Sequence, residues 1–172
     1  MSNISTIPSI TYKVECGTER GTAFFIDAHR LLTAYHVVGS SLNGNPIYVE
    51  IEEVNYECEL IIVKPGKDIA ILIQKDQTVS HQYGSLLSMP IEAKTHFRFW
   101  GYPKTLIGED VGGSVKIRVD EIYSPLRGDF DAYAVFEDEK HLSEYAGFSG
   151  SPVYTDSDKI IGIVTNILDS HI

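Results

Sequence analysis

Three residues of this chain carry side chains that can do acyl-transfer chemistry together: His36, Asp68 and Ser149. A serine hydroxyl is a weak nucleophile until a neighbouring base takes its proton. Imidazole does that near neutral pH, and a carboxylate fixes the ring's tautomer and stabilises the imidazolium. The serine lies in Tyr145-Ala146-Gly147-Phe148-Ser149-Gly150-Ser151-Pro152-Val153, between two glycines, with a Pro-led apolar run behind it. Such a turn lifts one hydroxyl out of the backbone and can aim neighbouring N–H groups at one point, which suits an oxyanion hole. The same stretch also reads as an ordinary Gly/Ser/Pro loop between two strands. A lone His behind an apolar strand is more often packed than catalytic, and an Asp opening a strand is commonly a turn residue. The joint occurrence of the three, in the order His, Asp, Ser and each at a strand end, favours the catalytic reading.

The elements that must position them are short strands. Thr11–Cys16 alternates apolar and polar residues, and Gly21–Ile26 and Leu31–Ala34 follow, the last running into Tyr35-His36-Val37-Val38. After a turn at Asn43-Gly44-Asn45-Pro46, Ile47–Val54 and Tyr56–Val63 read as two long strands, and Asp68–Ile73 as a short apolar strand headed by an acid. The pattern weakens across 81–94, read as a linker. Strands resume at Thr95–Trp100, Ser114–Ile122 (a hairpin that includes Gly112-Gly113), Ala132–Phe136, Pro152–Tyr154 and Lys159–Ile167. No long helix is expected, only a single turn around His36. The reading is all-β: two small antiparallel barrels or sandwiches, a first unit over 7–80 and a second over 95–172.

Composition narrows the function classes. The 172 residues fit one domain or two small halves, and a hydrophobic fraction of 43% supports a packed core. A formal net charge of −10, with no Lys/Arg cluster, argues against nucleic acid and anionic membranes as partners. Met1–Thr6 has no cationic start followed by an apolar run, so no signal peptide is expected, and no stretch approaches a membrane span. His29, His81, His96, His141 and His171 lack ligand-like spacing with each other or with Cys16 and Cys58, and no glycine loop cradles a phosphate; neither metal nor cofactor is expected. Two cysteines make no disulfide framework, and free thiols in a cytoplasmic protein are the expectation.

Leu32-Thr33-Ala34-Tyr35-His36, Asp68-Ile69-Ala70-Ile71-Leu72 and Gly147-Phe148-Ser149-Gly150-Ser151-Pro152 resemble the three signature segments of trypsin-like, chymotrypsin-fold serine proteases. Gly21-Thr22-Ala23-Phe24 is similar to the strand before the histidine in that family. Trp100-Gly101-Tyr102-Pro103 is similar to a segment early in the second barrel of its compact bacterial members, including Deg-type proteases. The resemblance runs from about Gly21 to Ile167. It implies two six-stranded-type antiparallel barrels with the active site in the cleft between them. It also implies a serine endopeptidase hydrolysing peptide bonds through an acyl-enzyme, without cofactor, on protein or peptide substrates. Carried over by position, His36 is general base and then acid, Asp68 its orienting carboxylate and Ser149 the nucleophile. The N–H groups of Gly147 and Ser149 form the oxyanion hole. Thr165 matches a position where a hydroxylated residue often touches the catalytic Asp, and Asn166 and Ile167 would offer backbone to an extended substrate.

Departures from the family pattern are informative. Val37 stands where secreted relatives have a cysteine, in keeping with a reducing compartment. Phe148 stands where many have an Asp that receives a newly cut N-terminus, so that activation switch is absent, and a bulky residue there raises the question of whether the oxyanion turn is preformed. The pocket floor falls on Ser143, next to Glu144, which implies a small or medium uncharged side chain rather than Arg or Lys. The strand expected to line that pocket is followed closely by the last residue, Ile172, which points to a piece of a longer protein or to a wall supplied from elsewhere. By analogy with intracellular bacterial domains of this kind, which often occur fused to downstream regulatory modules, including in phage-defence proteins, a regulated effector domain is expected. In this chain Glu137–Ala146 carries Glu137, Asp138, Glu139 and Glu144 against Lys140 alone, so the loop is expected to be mobile and the oxyanion hole only partly formed until a partner or downstream region orders it. The competing reading is a weak or inactive pseudo-protease kept as a peptide-binding or scaffolding module.

Overall fold

The computed structural model of the protein describes residues 5–103, 112–122, 132–137 and 146–166. Six strands, β1 (Thr11–Cys16), β2 (Glu19–Phe25), β3 (Arg30–Ala34), β4 (Ile47–Ile51), β5 (Val54–Lys64) and β6 (Ile69–Gln74), close into an antiparallel barrel in the order β1-β2-β3-β6-β5-β4. Six more, β7 (Ser85–Leu86), β8 (His96–Gly101), β9 (Gly113–Ile122), β10 (Ala132–Phe136), β11 (Pro152–Tyr154) and β12 (Lys159–Ile163), form a second sheet in the order β10-β9-β8-β11-β12-β7. Among the described residues the α-helical turn is α1 (Tyr35–Val38), at the expected histidine, alongside three 3-10 turns. This is the expected all-β, chymotrypsin-like two-barrel architecture.

Strand periodicity explains the barrel interior. Val14 and Cys16 on β1, Val49 and Ile51 on β4, and Ala70 and Leu72 on β6 all point inward, joined by Ala23, Phe25, Leu31, Val37 and Val38. β2 departs from simple alternation because both of its faces are covered. Ala23 and Phe25 belong to the first barrel's core, while Phe24 joins Ile7, Ile10, Tyr154 and Ile160 in a separate cluster that draws on both halves. Each large side chain so buried contributes about 1.5–3 kcal/mol of transfer free energy, so this second cluster is a substantial bond between the halves. The N-terminal segment is pinned there by polar contacts too, with Ser5 Oγ and the Thr6 N–H donating to Asp158 at 2.9 and 2.7 Å.

Two details differ from the sequence reading. Ile47–Val54 is not one strand: Ile51 pairs with Val54, and Glu52 and Glu53 form a two-residue turn with φ of 50° and 66°. Both positions are left-handed, where Asn and Gly are the usual markers, so a Glu-Glu pair conceals the turn. No strand is expected within the linker 81–94, yet β7 lies there. Leu86 pairs parallel with Ile160, and the His81, Gly84 and Leu87 N–H groups donate to Ala28, Phe25 and Ile160 carbonyls at 3.1, 2.9 and 2.8 Å. A two-residue parallel strand has no periodicity for a sequence to display.

Candidate active site

His36 and Asp68 meet because β3 and β6 are neighbours. Ala34 pairs with Ile69, so the chain leaving β3 and the chain entering β6 emerge side by side. The α1 turn buries Val37 and Val38 in the barrel, which sends the His36 side chain outward, 42% exposed. Asp68 itself is 7% exposed and holds φ 51°, ψ 41°. That left-handed conformation costs a non-glycine residue about 1–2 kcal/mol and is best tolerated by Asp and Asn. It is over-determined by hydrogen bonds. The Tyr35 N–H donates to the Asp68 carbonyl at 3.0 Å, the His36 N–H to Oδ1 at 2.8 Å, and His36 Nδ1 to Oδ2 at 2.6 Å. With Nδ1 donating, Nε2 presents its lone pair to the Ser149 hydroxyl, 3.0 Å away.

The serine turn is built by two left-handed glycines, Gly147 at φ 103° and Gly150 at φ 90°. A Cβ on Gly150 would lie 3.0 Å from the Ala34 nitrogen and closer still to the Thr33 hydroxyl, so only glycine lets the turn dock on the first barrel. The Gly150 N–H donates to the Val164 carbonyl at 2.7 Å and the Ser151 N–H to the Phe148 carbonyl at 2.9 Å. Among the described residues, the Gly147 and Ser149 N–H groups donate to nothing, which leaves both expected oxyanion donors available. Phe148 lies away from the reacting groups. It is fully buried, with its ring 5.1 Å from that of Phe99 in an edge-on contact, in a core shared with Phe97, Val115, Ile117 and Val119. The residue that looked disruptive is an apolar anchor for the turn.

The remaining expected positions divide. Thr165 reaches the site through its backbone: its carbonyl lies 3.4 Å from Ser149 Oγ, and among the described residues its hydroxyl makes no bond to Asp68. Asn166 is exposed at the end of the described segment, whereas Ser143, Glu144 and Ile167 lie outside the described residues. No group of three or more His, Cys, Asp or Glu is arranged around a metal position among the described residues, and none of their helices is long and apolar enough to cross a membrane. Cys16 and Cys58 are free thiols. Both pair with Ile47 from opposite sides, which puts them two strand spacings apart, about 10 Å and beyond disulfide reach.

Three contributors escaped the sequence reading. Thr22, fully buried on β2, donates its hydroxyl to the Gly147 carbonyl and its N–H to the Ser149 carbonyl, both at 2.8 Å. The Tyr102 N–H donates to Thr22 Oγ1 at 3.2 Å. Gly101 lets that chain approach: a Cβ there would overlap the Ser151 hydroxyl and sit 2.7 Å from the Phe148 ring. The Gly-Thr-Ala-Phe and Trp-Gly-Tyr-Pro segments were visible as motifs, and a hydroxyl inside a run of buried apolar residues was the available signal.

No curated protein sequence matches the chain. Among solved structures it is similar to the Rv3671c protease of M. tuberculosis in its inactive form, at 22% identity and TM-score 0.66 over 93% of this chain and 78% of that one. Its active form aligns at 20% identity and TM-score 0.68, over 95% and 72%. Deg5 aligns at 16% identity and TM-score 0.72, over 94% and 81%. At such identities these likenesses carry the fold. Residues 21–163, which span every strand from β3 to β12 and include His36, Asp68 and Ser149, match the trypsin-like peptidase domain, and the chain belongs to that family.

Proposed function

We propose that the protein is a serine endopeptidase that uses Ser149, His36 and Asp68 to cleave protein or peptide substrates through an acyl-enzyme. One observation carries this reading: His36 bridges Asp68 and Ser149 at 2.6 and 3.0 Å, in the orientation that proton transfer requires. Ser149 Oγ attacks the scissile carbonyl as its proton passes to His36 Nε2, and Asp68 stabilises the imidazolium. The oxyanion of the tetrahedral intermediate is received by the Gly147 and Ser149 N–H groups. His36 then protonates the leaving amine, and water repeats the sequence on the ester. The halves 7–80 and 95–172 contribute His36 with Asp68, and Ser149, respectively. A fluorophosphonate probe is expected to label Ser149, and Ser149→Ala to abolish label and turnover together. Labelling at another serine, or none in the full-length activated protein, would leave the pseudo-protease reading standing.

The same reading extends to setting and control. We infer a cytoplasmic enzyme, the regulated effector domain of a larger bacterial protein, with Ser143, Asn166 and Ile167 shaping selection of an uncharged side chain. Its restraint does not come from an ion pair at the serine turn, since Phe148 fills that position. Peptide turnover by this chain and by its full-length parent, with and without stimulation, tests the point. Equal rates for the isolated chain and the stimulated parent would remove the regulatory part and leave the peptidase assignment intact.

A further inference from the structure

We propose that Thr22 is the positioning residue of the oxyanion turn, holding it from the first barrel with a hydroxyl whose direction is set by the Tyr102 backbone. The inference rests on the serine-peptidase reading above and assigns a determinant of that site's rate.

The donor and acceptor roles leave no ambiguity. A threonine hydroxyl has one hydrogen to give and lone pairs to receive. The Tyr102 N–H can only donate, so it takes a lone pair of Thr22 Oγ1 at 3.2 Å. The Gly147 carbonyl can only accept, so it takes the hydrogen at 2.8 Å. The Thr22 N–H meanwhile donates to the Ser149 carbonyl at 2.8 Å. One residue thus grips the carbonyls on both sides of Phe148, the stretch that must present the Gly147 and Ser149 N–H groups. Thr22 is itself immobile: it is fully buried, and its own carbonyl accepts the Thr33 hydroxyl at 2.8 Å.

The grip matters because Gly147, at φ 103°, has no side chain of its own to restrain it. Rotation about its torsions would swing its N–H away from the developing oxyanion. Holding its carbonyl removes that freedom before substrate arrives, the preorganisation on which oxyanion stabilisation depends. The Trp100-Gly101-Tyr102-Pro103 segment acquires a role through the same contact. Gly101 leaves 3.0 Å between its hypothetical Cβ and Thr22 Oγ1, so a side chain there would push the Tyr102 N–H out of reach.

The experiment compares wild type with Thr22→Val, Thr22→Cys and Thr22→Ser in the full chain, each assayed well below its own melting temperature. Valine keeps the shape and removes the hydroxyl. We expect kcat to fall about 10- to 100-fold with KM nearly unchanged, the size of loss that a misplaced catalytic group produces. Affinity for a peptide boronate, whose tetrahedral adduct places an oxygen in the oxyanion position, falls by the same factor, while affinity for a non-covalent peptide does not. Serine returns both quantities toward wild type, and cysteine, a weaker donor, falls between. If valine proves too unstable to assay, the ranking of serine above cysteine carries the same test. A folded Thr22→Val or Thr22→Cys enzyme with wild-type kcat and boronate affinity overturns this proposal alone. A wild-type protein that neither labels at Ser149 nor turns over peptide, even as the stimulated full-length parent, overturns the peptidase reading and this proposal with it.

Discussion

At the scale of single residues, the geometry around Asp68 sets the hydrogen on His36. Each carboxylate oxygen accepts a bond from the same residue, one from its backbone and one from its ring. An amide of the same shape would keep the first bond and spoil the second. In Asp68→Asn the oxygen can still receive the His36 N–H, which leaves an NH2 group facing Nδ1. The ring then carries its hydrogen on Nε2, where it cannot accept the serine proton. We expect a loss on the order of 10⁴-fold in kcat with the melting temperature close to wild type. Retained activity in a folded Asp68→Asn chain would remove Asp68 from the mechanism. The left-handed backbone at this position is equally well served by Asn, so strain does not confound the comparison.

At the scale of elements, legibility followed burial. β1 has an alternating pattern because one face meets the core, and its bounds, Thr11–Cys16, were read as they stand. His36, Asp68 and Ser149 were visible because each sits where a strand meets a turn with its own composition. What escaped was set by contacts between distant segments. Glu52-Glu53 turns the chain without a turn residue, because strand pairing on both sides imposes left-handed conformations that the pair would not choose alone. Ser85–Leu86 becomes a strand because β12 offers it an edge. Phe148 was read against an ion pair found in relatives and raised doubt about the turn. Its surroundings, Phe99 above all, give the turn an apolar anchor instead of a charged one. Thr22 was quoted within a motif, but its partners, Gly147 and Ser149, lie more than a hundred residues away. A sequence read segment by segment shows the type of such a residue and conceals its partner.

At the scale of the whole molecule, two groups packed in or against the first barrel, His81 from the linker and Cys58 on β5, make stability depend on pH. His81 stacks on Phe25 at 4.5 Å and meets Tyr56 edge-on. Burial holds its imidazole below the ordinary value of 6.5, His29 adds to the effect, and Glu52 opposes it. The unfolded chain therefore binds more protons as pH drops below 6.5, and stability declines there. Cys58 works in the opposite direction. It is buried on β5 across from Ile47 and Gln74, and burial, with a contribution from the Glu57 charge, pushes its thiol from 9.0 up to about 12. A raised acid pKa leaves its contribution fully present below pH 9, where both states are protonated. Above that the unfolded thiol ionises first, and stability falls by up to about 1.4 kcal/mol per pH unit until the folded thiol ionises as well. Tyrosines and lysines also titrate in that range, so the prediction concerns a difference. Cys58→Val fills nearly the same volume without an ionisable group. Denaturant unfolding of both proteins in reductant should give curves separated by a constant amount up to pH 9, after which wild type declines more steeply through pH 11. Curves that stay parallel over that interval would show that the thiol ionises equally in both states, and the alkaline decline would then belong to another group.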